Sequence, residues 1–342
     1  MQIIKRLWLA VFLVALAITI LLLSDLKRIN RNNKASGKPS IALMQFASTP
    51  LLDQHVNGVC AGLIKHGLLD EDKGNLRLFN PQGDIPTANA IAREMVKGDY
   101  QLLVTSSTTA LQTVAKVNIN TRKTHVFGAV TFPQGAGVGI TGKKAGEHPP
   151  YMAGIGTFQP VKEAFVIACE MNPDIKQVGV VWNPSEQCSE ACVAEAKKIC
   201  DKLKIKLIEA TASSTSEVND ALHSLLAKNV DAVWIGGDTV ANASSPLIIQ
   251  KAAQADIPVF TNDPTDAEKG ALFGLGADYY TVGLLNADMI AEIINGKSPA
   301  KYAITNVVPK LFRVNHEVLV KLPKSWKLST ALRKMEQESN LK

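Results

Sequence analysis

From residue 40 onward, short apolar runs alternate with amphipathic stretches, the pattern of β-α units laid on a parallel sheet. The runs Ile41–Phe46, Leu76–Asn80, Gln101–Thr105 and His125–Val130 form one series of expected strands. Gln177–Trp182, Lys206–Ala210, Ala232–Gly236 and Pro258–Thr261 form a second. Helical periodicity is expected at about 51–67, 86–97, 107–117, 160–171, 187–203, 216–227, 241–254 and 280–295. Two series of four repeats predict two similar lobes. The glycine- and proline-bearing stretch 135–157 has the composition of a connector after the first. The segment NVVPKLFRV near 306–314 reads as one more strand, and ALRKMEQESNLK at the C-terminus as a frayed, charged tail.

Ahead of this body lies a segment of a different kind, LWLAVFLVALAITILLL from Leu7 to Leu23. As a helix it would reach roughly 26 Å at ~1.5 Å per residue, enough for a thin bilayer. A cleaved signal peptide would have a shorter apolar core and a small-residue site close behind it. Here Ser24-Asp25-Leu26-Lys27 follows, and Ala35-Ser36-Gly37 lies a dozen residues further on. The preferred reading is an uncleaved single-pass anchor, with periplasmic release after cleavage as the alternative. No cysteine follows the apolar run before Cys60, which disfavours a lipoprotein. Lys and Arg are more numerous on the C-terminal flank, so charge alone would keep the body inside and does not set the orientation.

The chain has 342 residues, length for two ordinary domains, and 46% hydrophobic with 20% charged residues, the balance of a globular protein. Its net charge of +6 belongs to residues 1–38, which hold seven basic side chains against Asp25. The rest of the chain is neutral, so no nucleic-acid partner is expected. The five cysteines are an odd number with no metal-type knuckle. Cys188, Cys192 and Cys200 read as small buried apolar residues with at most one disulfide, and no metal site or cofactor is expected.

In open α/β sheets ligands sit beyond the C-terminal ends of the strands. The loops expected there are QFASTP (45–50), TSSTTA (105–110), AVTFPQ (129–134), WNPS (182–185), GGDTVANA (236–243) and TNDPTD (261–266). Several open a helix, whose first N–H groups are unpaired and carry partial positive charge suited to a carboxylate. N-capping explains one or two of the five consecutive hydroxyls at 105–109 but not the run. Asp238, Asp263 and Asp266 read either as helix caps or as counter-charges for an ammonium. Catalysis finds no support. Gly137, Gly139 and Gly142 form G-x-G-x-x-G but lead into TGKKAGEHPP rather than a helix. There is no G-x-S-x-G, Walker, H-E-x-x-H or EF-hand pattern, and no histidine in the strand-end loops.

Taken as a set, these loops resemble those of the ABC-transporter substrate-binding proteins of the tryptophan/tyrosine-type family. The resemblance runs from about 40 to 325 through STPLLDQ (48–54), QGDIPTANAIA (82–92), TSSTTALQTVA (105–115), AVTFPQGAGV (129–138), VGVVWNPSE (178–186), ATASSTSEV (210–218), GDTVANA (237–243), PVFTNDPTDAEKGAL (258–272) and GADYYTVG (276–283). It implies the type I periplasmic-binding-protein fold, an α/β fold of two Rossmann-like lobes with parallel sheets joined by a three-crossing hinge, here preceded by one N-terminal transmembrane helix. The expected crossings are near Gly156-Thr157, near Ala277-Asp278 and just before Asn306. The expected organisation is a membrane anchor or signal segment and linker at 1–38, lobe 1 at 39–156 plus 278–305, lobe 2 at 157–277 plus 306–328, and a tail at 329–342.

The implied function is capture of an amino-acid-like solute, aromatic or otherwise apolar, by the extracytoplasmic component of an ABC importer. Its partners would be that solute and an ABC permease in the membrane. A ligand-sensing module reporting to a membrane receptor or kinase is the alternative, and no enzymatic activity is expected. The candidate ligand residues are Gln45, Phe46, Ser48, Ser106, Ser107, Thr108, Thr131, Phe132, Thr157, Asn183, Asp238, Thr239, Asp263, Asp278 and Tyr279. Three loops depart from the family pattern. T-D-P is Thr131-Phe132-Pro133, T-D-N-T is Gly236-Gly237-Asp238-Thr239, and S-D-T-D is Asn262-Asp263-Pro264-Thr265. Such changes move a carboxylate between loops and put an aromatic ring where an acid stood.

Overall fold

The computed structural model describes residues 37–341. The expected anchor at Leu7–Leu23 lies outside them, and among the described residues no helix is long and apolar enough to cross a membrane. The first half forms β1 (Ile41–Gln45), α1 (Pro50–Lys65), β2 (Leu76–Phe79), α2 (Ile85–Lys97), β3 (Leu102–Ser106), α3 (Thr108–Asn118), β4 (His125–Val130) and β5 (Met152–Gly156). The strands make one parallel sheet in the order β2-β1-β3-β4-β5. The chain continues through α4 (Val161–Met171), β6 (Gln177–Trp182), α5 (Gln187–Leu203), β7 (Lys206–Thr211), α6 (Val218–Leu226), β8 (Ala232–Ile235), α7 (Thr239–Ala243), α8 (Ser245–Gln254), β9 (Val259–Thr261) and β10 (Phe273–Ala277). Then follow α9 (Tyr279–Ile294), β11 (Lys310–Val314), α10 (His316–Lys321) and α11 (Thr330–Asn340). The second sheet runs β11-β10-β9-β8-β6-β7, parallel except for β11 against β10. This is the two-lobe α/β architecture of periplasmic binding proteins.

Central strands are buried on both faces, as the continuous apolar runs required. In the second lobe the rings of Trp234, Phe165, Phe260, Phe273 and Phe312 pack one on the next in that order, with centroids 5.1–5.8 Å apart. Trp234 Nε1–H donates to Asn262 Oδ1 at 3.0 Å, so the buried indole keeps a partner.

Three chain segments pass between the sheets: after β5, after β10, and between α9 and β11. They lie side by side. The Gly156 N–H donates to Thr305 O and the Val307 N–H to Gly156 O, both at 2.8 Å, and the Asp278 N–H donates to Pro309 O at 2.7 Å. Although α9 follows a strand of the second sheet, it packs against α1 of the first lobe. Glycine permits the approach: a Cβ on Gly58 would meet the Tyr280 carbonyl oxygen, and one on Gly283 the His55 carbonyl oxygen. A fully buried polar chain locks the same contact. His55 Nδ1 meets Ser106 Oγ and Nε2 meets Asn286 Oδ1, both at 2.9 Å, while Asn286 Nδ2–H donates to Phe127 O at 3.0 Å.

Three expectations need correction. The stretch 135–157 is not all connector, since Met152–Gly156 is the edge strand β5. The helix expected at 241–254 is two, broken at Ser244 before Pro246. The expected tail at 329–342 is, over its described residues 329–341, not frayed. Ser329 caps α11, Leu332 is buried, and Ser339 Oγ accepts the Phe312 N–H of β11 at 3.0 Å. All five cysteines are free thiols, four of them buried.

Candidate functional site

Between the lobes lies a narrow cleft of about 50 Å³. One wall comes from the first lobe: Thr49, Leu51 and Leu52 at the start of α1, Ser107 and Thr108 at the start of α3, and Ala129 and Thr131 after β4. The opposite wall is Cys188, Gly237, Asp238, Thr239 and Asn242. Gln159, just past the first crossing, and Tyr279, just past the second, complete the lining.

The first wall presents donors. Thr49 Oγ1 accepts the Leu52 N–H and Ser107 Oγ accepts the Ala110 N–H at 3.1 Å, and each hydroxyl caps its helix. The first N–H groups of α3, at Thr108 and Thr109, have no intrahelical acceptor and carry the positive end of an 11-residue helix. Two cleft residues are strained. Ser107 sits at φ 110°, ψ 160°, a region that glycine alone occupies readily, and Ala129 at φ 54°. The Ser107 N–H donates to Gly128 O, so neighbouring strands hold this backbone in place.

The second wall presents carbonyl and carboxyl oxygens, several already bonded. Asp238 Oδ1 accepts the Ala241 N–H at 2.6 Å, and its Oδ2 accepts the Asn183 N–H at 2.6 Å and the Ser189 hydroxyl at 2.5 Å. Glu186 accepts the Thr239 N–H at 3.0 Å and approaches the Asn183 amide at 3.4 Å. Burial raises both acids, and the Asp238 charge pushes Glu186 further up. Among the described residues, no Lys, Arg or His lines the cleft. Tyr279 Oη accepts Gln159 Nε2–H at 2.5 Å, and burial raises the phenol. The Gln159 Oε1 and Thr157 Oγ1 atoms are buried with no hydrogen-bond partner. A wider groove of about 820 Å³ shares Thr131 and Gln159 with the cleft and runs past Phe132 and Phe158.

The sequence profile described as ABC transporter substrate binding protein matches residues 40–324. The chain belongs to that family. Members of the ABC transporter substrate binding protein family are extracytoplasmic solute-binding proteins and not enzymes, and their ligands are small molecules. The chain is 27% identical over 292 residues to a "Tyrosine-binding protein" of Clostridioides difficile (strain R20291), covering 85% of this chain and 83% of that protein. A conserved domain protein from Vibrio cholerae O1 biovar El Tor str. N16961 superposes with a TM-score of 0.79 at 28% identity, over 86% of this chain and 97% of that one. An ABC domain from Streptococcus pneumonia in complex with L-Trp superposes at 0.78 with 22% identity, over 86% and 98%.

Of the candidate residues in this ABC transporter substrate binding protein, Ser107, Thr108, Thr131, Asp238, Thr239 and Tyr279 come together around the cleft. The others lie behind or beside it. Gln45 is buried with Nε2 on Ala47 O and Asp53, and Phe46 packs with Met44, Phe79 and Ala88 in the first lobe. Ser48 is exposed and accepts from Asn80 Nδ2, and Ser106 is held by His55. Phe132 lines the wider groove, 40% exposed. Thr157 is buried in the first crossing, and Asn183 supports Asp238. Asp263 accepts the Thr265 N–H and hydroxyl at 2.9 and 2.7 Å. Burial, with Asp266 beside it, raises its carboxyl to about 6. Asp278 caps α9 through the Thr281 N–H.

Gln159 and Thr49 were absent from the candidates. Thr49-Pro50 is a legible cap signature, whereas a single amide in GTFQP carries no local signal.

Proposed function

We propose that this chain is the solute-capturing component of an ABC importer, closing on an amino-acid-like zwitterion between lobe 1 (39–156 plus 278–305) and lobe 2 (157–277 plus 306–328). The observation that carries the reading is the polarity of the cleft, with the capped starts of α1 and α3 on one wall and oxygen acceptors on the other. A carboxylate suits the first and an ammonium the second. A neutral zwitterion also explains why no cationic side chain is needed there. The tyrosine-binding relative and the L-Trp complex support an aromatic amino acid as the solute, with Leu51, Leu52 and Ala129 as apolar contacts. Residues 1–38 would tether the body beside an ABC permease.

The test is thermal unfolding of the chain against the amino acids one by one. A solute that binds only the folded form, supplied at about 100 times its dissociation constant, adds ~2.7 kcal/mol and raises the midpoint. A raised midpoint with L-tyrosine or L-tryptophan supports the reading, and no shift with any amino acid removes it. Membrane fractionation of the full-length protein tests the tether, because release of the body into the periplasmic fraction would refute it.

A further inference from the structure

We propose that Gln159 is a ligand-binding residue whose Oε1 accepts a hydrogen bond from the ammonium of the captured solute while its Nε2 remains on Tyr279 Oη. The inference rests on the amino-acid reading above and names the atom that would receive the amine. Gln159 is 97% buried yet lines the cleft, and its Oε1 has no partner. A buried acceptor left unpaired is costly, so a donor arriving in the cleft gains more there than at an oxygen already bonded.

The nearby carboxylates are poorer receivers. Asp238 already accepts three hydrogen bonds across its two oxygens, and Asp263, whose Oδ1 accepts two, does not line the cleft. Glu186 is held by the Thr239 N–H and the Asn183 amide. The Gln159 amide is fixed from behind by Tyr279, which orients the carbonyl end. A Cβ placed on Gly237 would stand 3.4 Å from Gln159 Cγ and 3.9 Å from Thr131 Oγ1, so Gln159 lies on the second-lobe side where Thr131 of the first-lobe wall comes close. It also joins two of the three crossings, since Gln159 follows the first and Tyr279 the second. A donor bound at Oε1 would therefore connect occupancy of the cleft to the segments about which the lobes turn.

The experiment is calorimetric titration of the full chain and of Gln159→Met and Gln159→Glu with three probes: L-tyrosine, L-tryptophan and 3-(4-hydroxyphenyl)propionate. The last is tyrosine without its amine. Gln159→Met should weaken the better-binding amino acid about 10- to 100-fold. The same variant should bind the amine-free acid as the parent does. Gln159→Glu keeps an acceptor on both sides and should hold amino-acid affinity within about tenfold of the parent. Thermal midpoints of the unliganded variants separate loss of binding from loss of folding. Equal weakening of amine and amine-free probes by Gln159→Met, or retention of affinity in Gln159→Met with loss in Gln159→Glu, would overturn the proposal while leaving solute capture standing. Failure of the parent to bind any amino acid would remove the amino-acid reading, and this proposal with it.

Discussion

Ser107 holds a backbone conformation that costs a side-chain-bearing residue about 1–3 kcal/mol. Its neighbours in the cleft show why such strain persists, since the residue caps α3 and turns its N–H onto Gly128 O. Ser107→Gly should relieve the strain and lose only a few tenths of a kcal/mol of capping. The expected outcome is a protein more stable by about 1–2 kcal/mol that binds its solute more weakly, read as opposite changes in midpoint and affinity. A lowered midpoint would show that the hydroxyl matters more to the fold than the strain does. A second residue-scale prediction concerns acid. Burial holds His55 at about 4 and His125 at about 3, against 6.5 when free. Between those values the unfolded chain binds more protons than the folded one, so stability falls as pH drops below about 6.5 and continues to fall to about 4 and below. Asp263, raised to about 6, works the other way between about 6 and 3.8, because there the folded state holds the extra proton. Asp238 and Glu186, also raised by burial, act in the same sense as Asp263, so the histidine share is isolated by replacing one of the two rings. Replacing His125, whose Nδ1 has no partner, with Gln should flatten the midpoint-against-pH curve between pH 6 and 4; an unchanged slope would assign the acid sensitivity to other groups.

At the level of elements, the contact between α1 and α9 is the one most dependent on individual atoms. Gly283→Ala places a methyl against the His55 carbonyl and the Val59 N–H, both backbone, so neither can swing away. Overpacking of this kind costs about 1–3 kcal/mol or more. Because the same helices carry His55 and Asn286, the substitution should also loosen their hydrogen-bonded chain. Denaturant unfolding of Gly283→Ala should show the loss, and a change under 0.5 kcal/mol would mean that the helices can slide apart. A chain ending at residue 328 would lack α11, expose Leu332's contacts and leave the Phe312 N–H without Ser339. The expected loss is about 3–6 kcal/mol from one buried leucine and one orphaned donor, with partners beside them.

These elements also show what the sequence made legible. The strands Ile41–Gln45, His125–Val130 and Gln177–Trp182 announce themselves as unbroken apolar runs because both faces are buried. MAGIG and FGLGA do not, since glycine carries no side chain to mark a face. Yet a Cβ on Gly154 would meet Phe127, and one on Gly274 the Asp263 carbonyl, so close approach requires glycine at those points. The helix α11 was hidden by its charge, because the residues that dock it, Leu332, Met335 and Ser339, are few and set among charged ones. In the cleft the hydroxyls at helix starts were legible as caps. Gln159 was not, because its importance arises only when two crossings come together in space.

For the whole molecule, the size of the cleft sets the problem of capture. A volume of about 50 Å³ holds a water or two, whereas small-molecule sites usually offer ~300–1,000 Å³. An amino acid can therefore enter only if the lobes part. The hydrogen-bonded crossings at Gly156, Asn306 and Asp278 are the places where backbone rotation would allow it. The closed arrangement is itself penalised by the Gln159 and Thr157 oxygens, which find no partner within the chain, and by the buried pair Asp238 and Glu186. Solute relieves part of that penalty only when the lobes are together, which is the differential affinity that a shift in population requires. Moving such an equilibrium from 1:99 to 99:1 needs ~10⁴-fold preference for the closed form. Small-angle scattering should therefore show a larger radius of gyration without solute than with it, and the observed binding rate should level off as solute concentration rises, limited by lobe movement. Superimposable scattering curves together with a rate that climbs linearly would show instead that the cleft fills without the lobes moving, and would shift the site of capture to the wider groove beside Phe132.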